Sequence, residues 1–180
     1  MRIATALALV LPLSLPGLAL AAGSDSTTPP KPTATTQSCT GVQVWDEKVQ
    51  KCVDPKKSDL GADTLYEAVR ELAYAGRYAD AQAVLAAMPD QSDDRVLTYW
   101  GFTHRKMGHA DQAQAFYDKA LARNPDNLLA RCYMGQGLVA QGRIDGAIAQ
   151  WREIKARGGE GTWAEASLRE AIRTGATYSY

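Results

Sequence analysis

The sequence predicts an all-α fold, a right-handed superhelix of three helix–turn–helix units followed by a C-terminal cap helix. Glycine, alanine and aromatic residues recur along the chain at a fixed separation of 34 residues. The recurring pairs are Gly101 and Gly135, Gly108 and Gly142, Ala113 and Ala147, and Tyr117 and Trp151. One offset shared by small and large residues indicates an internal repeat, and about 34 residues is the length of one two-helix unit. Stacks of such units build surfaces that bind other proteins.

Residues 1–22 have the composition of a secretory signal peptide. A charged start at Arg2 is followed by an apolar stretch that ends in small residues. This order is typical of a signal that is removed, here after Ala21 or Ala22. An uncleaved membrane anchor is the alternative, but the two prolines inside the apolar stretch favour cleavage. We therefore expect a periplasmic or secreted protein that keeps no stable membrane span.

The charged residues are balanced, with 20 Lys and Arg against 20 Asp and Glu. A balance of this kind argues against a nucleic-acid partner.

Residues 23–38 are rich in Pro, Thr and Ser and contain no large apolar side chain. Such a segment does not bury enough apolar surface to offset the entropy of ordering, so we expect a disordered linker.

Residues 39–55 are predicted to form a small disulfide-closed hairpin. Cys39 and Cys52 are close in sequence and lie outside the repeats, which makes them the natural pair in an oxidising compartment. Alternating apolar residues around Val44 predict the first strand, and residues 46–48 suit a turn. A disulfide that closes a loop of this size adds about 3 kcal/mol to stability.

The pattern Cys-x-x-Gly-x-x-Trp-Asp-x-x-x-x-x-Cys-Val in residues 39–53 resembles a short cysteine-loop motif of exported bacterial proteins. Two interpretations are open. The loop is a disulfide cap that protects the end of the superhelix, or it is a binding element in which Trp45 stacks on a cell-wall glycan.

The repeat region divides into three units and a final helix. The units span residues 62–93, 94–127 and 128–161, and the cap helix spans residues 162–175. In the clearest unit, the second one, Gly108 ends the first helix and Pro125 follows the second. In the first unit, Pro89 is expected to shorten the second helix by about half a turn.

The second unit resembles the tetratricopeptide repeat. Trp100-Gly101, Ala113-x-x-x-Tyr117 and the terminal Pro125 match the signature of that family, although His104 stands where the family usually has an aromatic residue. The resemblance implies that small residues let the two helices of a unit approach closely and that a large ring fills the wedge between units. The repeat-packing residues are then Trp100, Gly101, Gly108, Ala113, Tyr117, Gly135, Gly142, Ala147 and Trp151.

The same resemblance implies that the first helices line a concave groove for a protein or peptide partner. Mapped onto this chain, the partner-binding residues are Tyr66, Arg70, Tyr74, Tyr99, Phe102, Arg105, Lys106, Tyr133 and Gln136. An exposed aromatic stripe edged with Arg and Lys suits an extended peptide or a helix with acidic groups. The first helices contain no Asn, so the carboxylate clamp of some relatives does not transfer.

Motifs for catalysis are absent from the sequence. There is no G-x-S-x-G, no H-E-x-x-H and no phosphate-binding loop, so we expect neither an enzyme nor a cofactor. Cys132 lies in an apolar helical pattern and is predicted to be a small buried residue. A zinc site is not expected, because there is no C-x-x-C and because His104 and His109, five residues apart, do not share a helical face.

These observations lead to a main hypothesis, a non-enzymatic scaffold or adaptor that binds a partner segment in the concave groove. The alternative is a cell-envelope glycan-binding protein that uses Trp45, with the repeats docking to envelope machinery. End-to-end self-assembly of the stack is a third possibility. The polar first turn of the cap helix favours a monomer.

Overall fold

The computed structural model describes residues 28–177, which contain eight helices and one two-stranded sheet. The helices are α1 Ala34–Gln37, α2 Ala62–Tyr74, α3 Tyr78–Leu85, α4 Asp94–Lys106, α5 Ala110–Arg123, α6 Leu128–Ala140, α7 Ile144–Ala156 and α8 Trp163–Thr174. The strands are β1 Val44–Asp46 and β2 Lys51–Val53. The predicted signal peptide lies outside the described residues. Within residues 28–177, no helix is both long and apolar enough to cross a membrane.

The helices pack in sequential pairs, α2 with α3, α4 with α5, and α6 with α7, and α8 packs on both helices of the last pair. The first helix of each pair is followed by a glycine with positive φ, at Gly76 (76°), Gly108 (85°) and Gly142 (72°). This left-handed conformation is open to glycine at no steric cost and reverses the chain. The paired helices and the hairpin confirm the predicted fold class.

The first unit has the shortest second helix of the three. Helix α3 contains eight residues, whereas α7 contains thirteen. Helix α3 is therefore shorter than α7 by more than one turn, and the predicted shortening by half a turn is too small. Pro89 disfavours the helical conformation at Met88, and the chain leaves the helix already at Ala86.

Close contacts across helices occur at the repeat glycines. A Cβ atom on Gly101 would lie 2.5 Å from Cε1 of Tyr117, so α4 and α5 touch at this point. On Gly135 it would lie 2.6 Å from Cδ2 of Leu168, which belongs to α8. The three atoms nearest to this position of Gly135 thus belong to the leucine of the cap helix, whereas those nearest to Gly101 belong to the ring of Tyr117.

The repeat alanines and the two large repeat rings are not all buried to the same extent. Ala113, Ala147 and Tyr117 are buried. Trp151 is only half-buried, and its Nε1 donates a hydrogen bond to Oε1 of Glu165 at 2.8 Å. The third unit therefore attaches to α8 partly through a polar contact at the rim of the indole ring.

The end of the predicted linker is ordered and packs on α2. The carboxylate of Glu71, which is buried, accepts hydrogen bonds from the backbone N–H of Thr33 at 2.7 Å and of Thr36 at 3.0 Å. The hydroxyl groups of both threonines donate to the same carboxylate. In addition, Arg70 Nη2 donates to the carbonyl oxygen of Thr28 at 2.6 Å. Residues 33–36 therefore contact α2 in the structure, within the segment for which the sequence predicts a disordered linker.

The hairpin is closed by the disulfide between Cys39 and Cys52, as predicted. Its strands pair antiparallel with Trp45 opposite Cys52, and they lie slightly later in the chain than the alternation indicated. Val44 is buried and belongs to the main core cluster. Arg77, at the turn between α2 and α3, donates to the carbonyl oxygens of Cys39 and Gly41. The hairpin therefore packs on the first helix pair.

Candidate functional site

The predicted partner-binding rings of α2, α4 and α6 lie together. The ring centroids of Tyr66 and Tyr99 are 5.7 Å apart, those of Tyr99 and Tyr133 6.1 Å, and those of Phe102 and Tyr133 4.6 Å. The hydroxyl groups of Tyr74 and Tyr133 form a hydrogen bond of 2.6 Å. The three first helices thus share one continuous aromatic cluster.

This aromatic cluster is buried, which corrects the expectation of an exposed stripe. All five rings belong to the main core cluster. Arg70 and Gln136 are also buried, and Gln136 Nε2 donates to Ser167 Oγ at 2.9 Å. Rings from successive first helices pack against one another and are therefore removed from water. Whether these residues take part in partner binding stays a prediction.

Arg105 and Lys106 are the half-buried members of the predicted set. The guanidinium carbon of Arg105 lies 5.5 Å from the centroid of the Phe102 ring, and Nζ of Lys106 lies 5.8 Å from it. Arg105 Nη2 also donates to Oε1 of Gln136 at 3.4 Å. Burial, with a smaller contribution from the charge of Arg105, lowers the pKa of Lys106 to about 8. Two cationic groups therefore sit at one edge of the aromatic cluster.

A second candidate surface is a cleft between the hairpin and α2. It has a volume of about 350 Å³, and half-buried Trp45 forms part of its wall. Glu47, Asp63 and Glu67 also line it, and all three are exposed. Glu71 lies at its base, where its oxygens are occupied by the hydrogen bonds from residues 33–36. An aromatic ring and several carboxylates thus face the same space.

A third surface, which we call the outer pocket, was not anticipated from the sequence. It encloses about 670 Å³. Its lining residues are Gln91, Ser92, Leu97, Trp100, Phe116, Lys119, Ala122 and Arg123. Trp100 and Phe116 stack with ring centroids 5.7 Å apart, and Lys119 Nζ lies 5.4 Å from the Phe116 centroid. The sequence predicts Trp100 to be a repeat-packing residue. The presence of Trp100 and Phe116 on the two helices of one unit is the feature of the sequence from which the outer pocket could have been predicted.

Among residues 28–177, no group of three or more His, Cys, Asp or Glu side chains lies close enough to hold a metal ion. The thiol of Cys132 is buried, and burial raises its pKa to about 12. A thiol that stays protonated at neutral pH is a poor nucleophile. Cys132 is therefore a packing residue, as the sequence indicated.

Comparison with known proteins agrees with the repeat architecture. A family model described as tetratricopeptide repeat matches residues 104–167, from the last turn of α4 into α8. This match supports the tetratricopeptide repeat family for the part of the chain that holds α5, α6 and α7. No match was found among curated proteins or among solved structures.

Proposed function

We propose that this chain is an exported, non-enzymatic adaptor that binds a segment of a partner protein along the first helices of its repeats. Tetratricopeptide repeats generally mediate protein–protein interaction, and the family match over residues 104–167 supports such a role. The disulfide between Cys39 and Cys52 supports a location in an oxidising compartment, periplasmic or extracellular.

The observation that carries the proposal is the position of Arg105 and Lys106 beside the ring of Phe102. Side-chain carboxylates of a partner would form charge-assisted hydrogen bonds with these two cations. A bound carboxylate would also raise the pKa of Lys106 from about 8, because an opposite charge favours the protonated amine. The partner segment is therefore expected to be acidic.

The test is the Arg105→Met/Lys106→Met double variant, which keeps the aliphatic stems and removes both charges. Alanine substitutions at Tyr99 or Phe102 are unsuitable because both rings are buried and their loss would unfold the protein. The tagged chain is used to capture proteins from an envelope extract, and captured proteins are quantified by mass spectrometry. We expect the variant to lose one or more acidic partners that the wild type retains at low salt.

The matched control is Lys119→Met/Arg123→Met, which removes the same number of positive charges from the outer pocket. If this control loses the partners and the first variant retains them, the binding surface is the outer pocket and the proposed groove edge is wrong. Loss with both variants to the same extent would indicate general electrostatic attraction.

A second candidate function is glycan binding in the cleft beside Trp45. The specific observation is that the indole ring and the carboxylates of Glu47 and Asp63 line the same cleft. Sugars stack on aromatic rings and donate their hydroxyl hydrogens to carboxylates. Sedimentation with purified cell-wall glycan tests this function. Binding by the wild type that is lost in Trp45→Ala, but not in the Arg105/Lys106 variant, would favour the glycan function over the adaptor function.

A further inference from the structure

His104 and His109 lie on the two sides of the turn between α4 and α5, and their rings meet across it. They are the two histidines of the sequence. Their Nδ1 atoms are 3.4 Å apart, and their ring centroids are 5.6 Å apart. The backbone N–H of His109 donates to the carbonyl oxygen of His104 at 2.9 Å, which fixes the turn. The two residues are brought together because Gly108, with φ of 85°, ends the first helix between them.

The ring of His104 is held in place by aromatic stacking. The ring of Phe116 lies 5.4 Å away at an interplanar angle of 9°, and that of Trp100 lies 5.9 Å away at 25°. His104 is half-buried, and its Nδ1 atom lies next to that of His109. His109 is exposed, so an ion in solution can reach the pair.

The separation of the two nitrogen atoms matches the geometry of a coordinated metal ion. Two imidazole nitrogens at about 2.0–2.1 Å from a tetrahedral zinc ion are about 3.3–3.4 Å apart. A direct hydrogen bond from a ring N–H would be shorter, since protein N–H donors most often lie about 2.9–3.0 Å from the acceptor. The observed 3.4 Å equals the separation expected for two nitrogens that share one tetrahedral ion.

We propose that His104 and His109 form a binding site for a divalent first-row transition-metal ion, coordinated through both Nδ1 atoms. Since no third His, Cys, Asp or Glu side chain of residues 28–177 joins the pair, the other coordination positions are open to water or to a donor from another molecule. Imidazole ligands bind Cu²⁺ more tightly than Zn²⁺. Cu²⁺ is therefore expected to bind with the higher affinity once the two nitrogens move closer together to suit its tetragonal geometry, whereas Zn²⁺ fits the observed separation.

The first experiment titrates the full chain with Cu²⁺ and follows tryptophan fluorescence, because Trp100 stacks on His104 and a bound Cu²⁺ would quench it. We expect quenching that saturates at one ion per chain. His104→Gln and His109→Gln should each weaken the affinity at least about tenfold, since each removes one of the two ligands. Trp100→Phe should remove the quenching while calorimetry still detects binding of the ion.

The second experiment follows the ring nitrogens by NMR during addition of Zn²⁺, which is diamagnetic. Both Nδ1 signals should shift together and stop shifting at one equivalent. Asp111→Asn is the matched control: it removes an exposed carboxylate from the first turn of α5 and leaves both histidines in place, so binding should persist. Backbone amide spectra of each variant establish that it is folded.

Three outcomes would overturn the proposal. The first is an affinity for Cu²⁺ in folded His109→Gln within about twofold of the wild type, which would place the ion elsewhere. The second is a Zn²⁺ titration in which only one of the two rings responds. The third is loss of binding in Asp111→Asn with retention in both histidine variants, which would indicate attraction to carboxylates instead of coordination by imidazole.

Discussion

Gly101 in α4 lies directly against the ring of Tyr117 in α5, where a Cβ atom would be 2.5 Å from Cε1 of the tyrosine. Tyr117 is buried and has no free space into which to move. We therefore expect Gly101→Ala to lower the free energy of unfolding by about 1–3 kcal/mol through overpacking, despite the better helix propensity of alanine. Urea denaturation measures this as a lower midpoint with an unchanged slope.

Gly137→Ala is the matched control for this substitution, because Gly137 also lies inside a first helix. Its Cβ atom would be 3.1 Å from Cδ of Arg105, a flexible side chain that is able to shift. We expect the free energy of unfolding of Gly137→Ala to change little, or to rise by up to about 1 kcal/mol because alanine has the higher helix propensity. Equal destabilisation by the two substitutions would contradict the packing role assigned to Gly101.

Glu71 anchors the ordered segment before the hairpin through its contacts with Thr33 and Thr36. Glu71→Gln replaces one acceptor oxygen with a donor and removes the charge. Both amides donate to Oε1, and a glutamine carbonyl oxygen can replace it as a neutral acceptor. Hydrogen bonds to charged groups are worth about 1.5–3 kcal/mol against about 1 kcal/mol for neutral ones, so the amides of Thr33 and Thr36 should exchange with solvent roughly 2- to 30-fold faster. Hydrogen–deuterium exchange by NMR measures both amides.

Glu67→Gln serves as the comparison for Glu71→Gln. Glu67 lies on the same helix and is exposed, and its carboxylate accepts hydrogen bonds from Arg70, the shorter at 2.8 Å. Exchange at Thr33 and Thr36 should be unchanged in this variant. If exchange of both amides became faster to the same degree in the two variants, Glu71 would not be the anchor.

Removal of the disulfide should loosen the hairpin and the first helix pair together, because Val44 of β1 is part of the main core cluster. The Cys39→Ser/Cys52→Ser variant is expected to lose about 2–4 kcal/mol, which lowers the melting temperature by roughly 5–15 °C for a domain of this size. Reduction of the wild type should have the same effect, since buried Cys132 is not part of a disulfide. An identical melting temperature in the oxidised and reduced proteins would refute this prediction.

Lys106 should be unusually reactive toward acylating reagents at mildly alkaline pH. Its pKa of about 8 means that roughly half of the amines are neutral at pH 8, whereas an ordinary lysine has a pKa of 10.5. Mass spectrometry of labelled peptides across a pH series should give a midpoint near 8. A midpoint near 10.5 would contradict the assigned environment.

The same shift in pKa has a consequence for stability. Between pH 8 and 10.5 the unfolded chain holds the proton on Lys106 and the folded chain does not. The contribution of this residue to stability is therefore lowest below pH 8 and rises with pH through that window.

The helical repeat could be predicted because a fixed offset of 34 residues is a property of the sequence itself. The positions of Gly101 and Gly108 in the second unit follow from it, and the structure confirms the resulting helix pair. The partner of Gly135 could not be predicted, since its contact is Leu168 of the cap helix, which lies outside the repeat.

Exposure of the candidate site was harder to predict than its composition. Helical spacing places Tyr66, Tyr99 and Tyr133 on equivalent faces, but spacing does not reveal that rings of successive helices bury one another. The contact between His104 and His109 does not follow from helical spacing, because Gly108 ends the helix between them and the turn brings the two rings together.

The ordered threonines were missed for a different reason. Composition describes how much apolar surface a segment is able to bury, and residues 33–36 bury little. Their order depends on hydrogen bonds to Glu71, which is more than thirty positions later in the chain. Contacts of this kind leave no periodic pattern in a sequence.

Trp45, whose ring forms a wall of the cleft, pairs with Cys52 across the two strands of the hairpin. The disulfide between Cys39 and Cys52 closes the same hairpin. A reducing environment would therefore remove the support of this wall without breaking any bond in the helical stack. A molecule recognised by Trp45 would therefore bind more weakly in reducing surroundings than in oxidising ones.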